Sequence, residues 1–254
     1  MLLFSDISHE RLLQEEREEL ERHTFWNDLA AAMSHEIRNP LVSISTFAQL
    51  LPERYTDPEF RQQFFNIVTG EVERLNAIIT QINTFAHPPK LVFRPITPHE
   101  LVTQACARAK QLAGSDKSIV TCEIQEQLPR LTADTDALTD GIAHVLVNAY
   151  EAVLDRPSPS ICVHVRCAGI DNRSALVCAI SDNGAGIAQD MRNKLFSPFS
   201  TTKMRGLGLG LPLVRRAVVD HGGRIDVDTT AKGTTVTITL PLKGGPHHDE
   251  TLDC

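Results

Sequence analysis

Positive charge is in short supply in this 254-residue sequence, where 25 Lys and Arg against 32 Asp and Glu leave a formal charge of −7. A surface that grips nucleic acid by its phosphates needs the opposite balance, so nucleic acid is not an expected partner. Aromatic residues make up only 5%, with a single Trp, too few for a platform on which single-stranded bases stack. Long apolar runs are missing as well. No uncharged stretch approaches the roughly 20 residues of a membrane span, and no signal peptide opens the sequence. A soluble, cytoplasmic chain is therefore expected, with any membrane attachment confined to a region upstream. Six cysteines are present (Cys106, Cys122, Cys162, Cys167, Cys178 and Cys254), but none forms a C-x-x-C pair or has a His at finger-like spacing. Buried free thiols in a reducing compartment are the expectation.

What remains is an ordinary globular balance of 42% hydrophobic and 22% charged residues, at a length that suits two modest domains. Residues 1–8 (MLLFSDIS) read as a short strand and turn. Residues 9–22 are charge-dense, and the i,i+4 pairs Arg11–Glu15 and Glu18–Arg22 favour helix. The helical pattern continues past Pro40 to about Leu51, giving a helix of about 60 Å at about 1.5 Å per residue, too long for a compact globule. Pro52 to Pro58 breaks it, Asp57 can cap a second helix, and Pro58 suits that helix's first position. The second helix should end near His87-Pro-Pro89. An apolar seam of Ile37, Leu41, Ile44, Ala48 and Leu51 faces one of Phe64, Val68, Leu75, Ile78, Ile82 and Phe85, with Glu71 its single polar member. Two such hairpins bury their seams as a four-helix bundle, so a homodimer is expected over residues 25–90.

From 91 to 243 the texture is α+β, a sheet with helices on one face. Helices are expected over 98–113, 135–154 and from about Gly208 to Asp220. Strands are expected over 117–124, 160–168, 174–181, 224–229 and 233–241, the middle pair forming a hairpin at Asp171-Asn172. The polar tail 244–254, with His247-His248, reads as a solvated end.

The chemistry concentrates first in Ser34-His-Glu-Ile-Arg-Asn-Pro-Leu41. His35 and Asn39 are each two residues from Ile37, about 200° around the helix, so they project together away from the seam. An exposed imidazole beside the Glu36 carboxylate has what a nucleophile needs, since Glu36 can hold the proton on one ring nitrogen and leave the other lone pair free. This segment resembles the H-box of sensor histidine kinases, in which the His is phosphorylated by ATP. Three further boxes follow in that family's order.

His144-Val-Leu-Val-Asn-Ala-Tyr-Glu-Ala152 resembles the N-box. The resemblance makes Asn148 the ligand of Mg²⁺ and a phosphate oxygen, with His144 where the family usually has a second Asn. One turn apart, the two point at one pocket, and a neutral imidazole can donate to phosphate or accept. Asp182-Asn-Gly-Ala-Gly-Ile187 resembles the G1 box, which implies a carboxylate accepting from the adenine amine while Gly184 and Gly186 let the backbone approach, with Ile187 beside them. Taken alone, Asn-Gly would be an ordinary turn. Phe196 to Lys203 and Gly206-Leu-Gly-Leu-Gly-Leu211 resemble the F and G2 boxes of the lid over ATP. Gly206, Leu207, Gly208, Leu209 and Gly210 then belong to the nucleotide site, and glycine amides there can turn to phosphate oxygens. Lys203 and Arg205 are candidate cations for the γ-phosphate or plain solvated charges. Gly233-Thr-Thr-Val236 resembles the last box, with Thr234 beside the adenine.

The resemblance implies a dimeric helical-hairpin domain followed by an α/β-sandwich ATP-binding domain of the gyrase and histidine-kinase type. It further implies ATP and Mg²⁺ as cofactors, autophosphorylation of His35, transfer to an Asp of a response regulator receiver domain, and an Asn39-dependent phosphatase activity. Residues 1–8 resemble the ending of a PAS sensory domain, which places a sensor upstream and makes 9–24 a signalling helix. A non-kinase ATPase of the same superfamily, or a scaffold or phosphatase without kinase activity, stays open as an alternative.

Overall fold

The computed structural model describes residues 30–87, 89–114, 119–170, 173–192, 194–200 and 207–242. The expected sensor-domain ending, the signalling helix, Lys203, Arg205, Gly206 and the tail lie outside the described residues. Two compact units divide the chain. The first holds the helices up to residue 88 together with Pro198–Leu209, and the second holds Pro89–Ser197 and the chain from Gly210 on.

In the first unit, α1 is described over 30–54 and α2 over Pro58–Ala86. The break falls where Asp57 caps α2, its Oδ1 accepting from the amides of Glu59 at 2.9 Å and Phe60 at 3.4 Å, with Pro58 leading the helix. Near this turn Phe47 stacks on Phe60 with centroids 6.0 Å apart, closing the end of the hairpin. On α2 the expected seam, Glu71 included, is turned from solvent throughout. The seam read for α1 needs correcting. Leu41 is 51% exposed and Ala48 is exposed, whereas Glu36, Pro40 and Phe47 turn inward. The apolar arc of α1 is broader than one stripe, and the heptad picked out one edge of it. The other edge, with Phe65, Val72 and Ile79 at seven-residue spacing on α2, stays exposed.

The second unit is a five-stranded sheet in the order β2-β4-β5-β7-β6. Its strands are β2 (Val120–Ile124), β4 (Ile161–Ile170), β5 (Arg173–Asp182), β6 (Arg224–Thr230) and β7 (Gly233–Pro241). The β2–β4 pair is parallel and the remaining pairs are antiparallel. Alternation along β4 buries Ile161, Val163 and Val165 and leaves His164 and Arg166 exposed, so one face of the sheet carries the core. That face packs against α3 (Pro98–Ala113), α4 (Thr135–Ala152) and α6 (Gly210–Asp220) through Leu101, Ala105, Ile142, Leu146 and Val214. The helix α3 starts at a reciprocal capping box between Thr97 and Glu100 and ends at Gly114 with φ 57°.

Several expected boundaries move. Helix α6 begins at Gly210 and not Gly208, α4 stops at Ala152, and the described part of β2 begins at Val120. Two three-residue strands, β1 (Arg94–Ile96) and β3 (Leu131–Ala133), pair antiparallel and were not expected, nor was the single turn α5 (Gln189–Arg192). Three or four residues are too few to show a period. The cysteines also depart from expectation. Among the described ones only Cys178 is buried, and Cys122 is exposed on the edge strand β2. Cys122 Sγ lies 3.8 Å from that of Cys106, whose thiol is pushed up to about 12 by burial.

A clasp holds the start of α4 to the end of α6. The Asp134 amide donates to His221 Nε2 at 2.9 Å, and His221 Nδ1 donates to the Ala217 carbonyl at 2.6 Å. The Asp134 carboxylate meanwhile accepts from Ala137 N at 2.9 Å and from Val92 N at 2.6 Å, and Phe93 packs on the His221 ring.

Leu146 is fully buried at the centre of this core. Leu146→Ala should lower stability by about 2–5 kcal/mol, read from chemical denaturation followed by circular dichroism. A loss below about 1 kcal/mol would place Leu146 outside a close-packed core.

Candidate functional site

On α1, His35 and Asn39 are both exposed, one turn apart, as their spacing requires. Glu36 does not share that exposed face. It is buried, at 8% exposure, because one residue along a helix is about 100° of rotation and carries it inward. There its Oε2 accepts from Arg74 Nη2 of α2 at 2.7 Å. Arg74 Nη1 also lies 3.7 Å from Glu71 Oε2, a buried oxygen with no hydrogen-bond partner among the described residues. Two carboxylates thus share one guanidinium inside the hairpin. On the outside, His35 offers solvent a ring that can act as nucleophile or base.

The second unit builds a polar recess at the ends of β5, β6 and β7. Asp182 closes β5, and its Oδ1 accepts from Gly184 N at 2.8 Å and Thr234 N at 3.3 Å. Burial pushes its carboxyl above the usual carboxylate range, against the pull of those two amides and of the Arg156 guanidinium. The glycines allow backbones to meet. Gly186 has φ 76°, and a Cβ there would run into the Thr230 carbonyl oxygen. At Gly233 a Cβ would run into the Asp182 carbonyl oxygen. Ile187 N donates to Thr229 Oγ1 at 2.8 Å, and that hydroxyl lies 3.1 Å from Thr234 Oγ1. Asp182, Gly184, Ile187 and Thr234 are therefore joined through Thr229 in one hydrogen-bonded network, with Gly186 packed against Thr230.

The α4 residues His144 and Asn148 stand one turn apart, both half-buried. His144 Nδ1 is 2.8 Å from the Asp140 carbonyl oxygen, and Gly210 at the start of α6 lies alongside its ring. In the first unit Leu207 and Leu209 are buried, and Gly208, with φ 65°, could not take a Cβ without pressing on the backbone of Phe199 and Ser200.

Sequence reasoning did not single out Arg74, Arg156 or Thr229. Arg156 Nη2 donates to the Gly184 carbonyl at 2.7 Å and so braces the glycine loop from outside. Asn183, read only as a turn residue, ties the same loop to Ser158 and Ser160. Each of these contacts joins residues at least 23 apart, beyond what local pattern reports.

Residues 25–89 match the family described as His Kinase A (phospho-acceptor) domain, and residues 133–244 match the histidine kinase-, DNA gyrase B-, and HSP90-like ATPase family. The sensor histidine kinase ZraS of Escherichia coli (strain K12) is 31% identical over 233 residues, 91% of this chain and 49% of that protein. The signal transduction histidine-protein kinase AtoS of the same strain is 29% identical over 253 residues, 99% of this chain and 40% of that protein. The chain spans about half the length of the curated relatives it matches. Among solved structures, that of histidine kinase ThkA in complex with response regulator protein TrrA superposes with a TM-score of 0.69 at 25% identity. The match covers 91% of this chain and 66% of that one.

Because Asp182 is held above its ordinary value, its ionised form burdens the fold, and the burden lifts as pH falls through the raised value. Asp182→Asn keeps an oxygen for both amides and removes the charge. Its melting temperature should match or exceed that of the parent at neutral pH, with the advantage shrinking at acid pH. A clear drop at neutral pH would show that the charge itself holds the recess together.

Proposed function

The chain belongs to the sensor histidine kinases of two-component systems, and from that footing we propose that it phosphorylates His35 with ATP and passes the phosphoryl group to an Asp of a response regulator receiver domain. The observation that carries this reading is an exposed His on a helical hairpin, in one chain with an ATPase-type sandwich whose Asp182 recess is preformed.

One imidazole nitrogen of His35 attacks the γ-phosphorus in line; an N–P bond forms and the bond to the bridging oxygen breaks, releasing ADP. The attack leaves a proton on the other ring nitrogen. Glu36, the next residue along the helix, is the proposed acceptor once its inward ion pair with Arg74 opens, and the product is a neutral imidazole ring carrying an anionic phosphoryl group. Asp182 would accept from the adenine amine, with Thr234 and Ile187 flanking it and the glycine amides of Gly206, Gly208 and Gly210 turned to phosphate. Among the described residues there is no cluster of three or more His, Cys, Asp or Glu that would cage a metal. That suits Mg²⁺, which binds through one or two protein ligands plus substrate phosphates and waters. Asn148 would hold it, and the ion neutralises phosphate charge when bound.

Asn39, one turn beyond His35, is proposed to orient a water for the reverse work of dephosphorylating the regulator. The exposed edge of Leu41, Phe65, Val72 and Ile79 supports a homodimer, since a second hairpin would bury it. No helix among the described residues is long and apolar enough to cross a membrane. With free thiols at the five described cysteines, this supports a cytoplasmic location.

Incubation with γ-labelled ATP tests the reading. His35→Gln should lose all acid-labile label while binding nucleotide as before; label retained at the parental level would refute His35 as acceptor. ATP turnover without label would favour a superfamily ATPase, and neither turnover nor label a scaffold. Asp182→Asn should keep its fold and lose nucleotide affinity, measured by calorimetry. Asn39→Ala should autophosphorylate normally and dephosphorylate the regulator more slowly, and equal dephosphorylation rates would remove Asn39 from that role.

A further inference from the structure

His144 carries information in its hydrogen bonding. Its Nδ1 sits 2.8 Å from the Asp140 carbonyl oxygen, and a carbonyl only accepts, so Nδ1 bears the hydrogen and donates. In the neutral ring Nε2 is then a bare lone pair. The Nε2 side of the ring faces the start of α6, where a Cβ added to Gly210 would lie 3.6 Å from His144 Cδ2. Asn148 follows one turn along α4. Of the two roles open to a neutral His144, donor or acceptor, the one left to Nε2 is acceptor, because Nδ1 is already engaged. An acceptor facing phosphate oxygens is repelled unless a cation lies between them.

Metal-binding imidazoles have this arrangement, one ring N–H tied to a carbonyl and the second nitrogen left as ligand. We propose that His144 Nε2 is a direct ligand of the divalent cation that enters with the nucleotide, next to Asn148. The inference rests on the reading of this recess as a nucleotide site. It also sets the kind of ion. Magnesium prefers oxygen donors throughout, whereas imidazole suits borderline first-row ions. Substituting imidazole for an amide oxygen thus tilts the site from Mg²⁺ towards first-row divalent ions, of which Mn²⁺ is the paramagnetic probe nearest to Mg²⁺. The step is coordination only; no proton or electron is transferred.

The test uses the full chain with Mn²⁺ and a non-hydrolysable ATP analogue. Pulsed electron paramagnetic resonance on the wild-type complex should show ¹⁴N coupling from a coordinated imidazole, and His144→Asn should abolish it. In parallel calorimetry, the preference of nucleotide binding for Mn²⁺ over Mg²⁺ should fall about tenfold in His144→Asn, the scale on which ligand-sphere changes act. The wild-type spectrum stands independently of how well the variant folds. Nucleotide bound with Mn²⁺ but without imidazole coupling would overturn the inference and leave the nucleotide-site reading intact. Coupling that persists in His144→Asn would assign it to another histidine and overturn it equally. Failure to bind nucleotide with either ion would overturn both.

Discussion

The ion pair between Arg74 and Glu36 sets the rotation of the first helix, and much of the hairpin follows from it. The pair is largely screened from water, so the carboxylate of Glu36 rests inward. With residue 36 facing in, helical geometry turns residues 35 and 39 out. The exposure of His35 is thus a consequence of where its neighbour is anchored. The same rotation sends Leu41 to the outer edge and brings Pro40 and Phe47 inside. Glu71 adds a second, more distant carboxylate to the same guanidinium.

Local signals made most of the architecture legible. The Asp57-Pro58 break, the helix over 98–113 and the strands of the central hairpin each report on residues close in sequence. The α2 seam was readable because that helix buries one stripe. The α1 seam was misread because the face that meets α2 runs through Glu36, Pro40 and Phe47, beside the heptad stripe, and spacing alone cannot say which edge turns inward. Candidate site residues were legible as motifs, but their bracing was not. Arg74 meets Glu36 across 38 residues and Thr229 meets Ile187 across 42, and neither pairing leaves a trace in spacing. His144 was visible as an exception; its tautomer became readable only with the Asp140 carbonyl in place.

In the recess, precision comes from backbone and not from side-chain rotamers. Two amides hold Asp182 Oδ1, and the glycines at 186 and 233 let carbonyl oxygens approach where any Cβ would block them. A carboxylate positioned this way does not reorganise when a ligand arrives, which is the condition for selective recognition. The cost is the burial of its charge, and the fold carries that cost at neutral pH.

The clasp of Asp134 and His221 has a mechanical consequence. Helices α4 and α6 run antiparallel, fastened at one end by the 2.9 Å bond from Asp134 N to His221 Nε2. Midway, Gly141 passes Val214 closely enough that a Cβ would sit 3.8 Å from its side chain. At the far end His144 faces Gly210 with no comparable fastening between them in the described residues. Fastened at that end and packed in one core along their length, the two helices hold the spacing at which His144 meets Gly210.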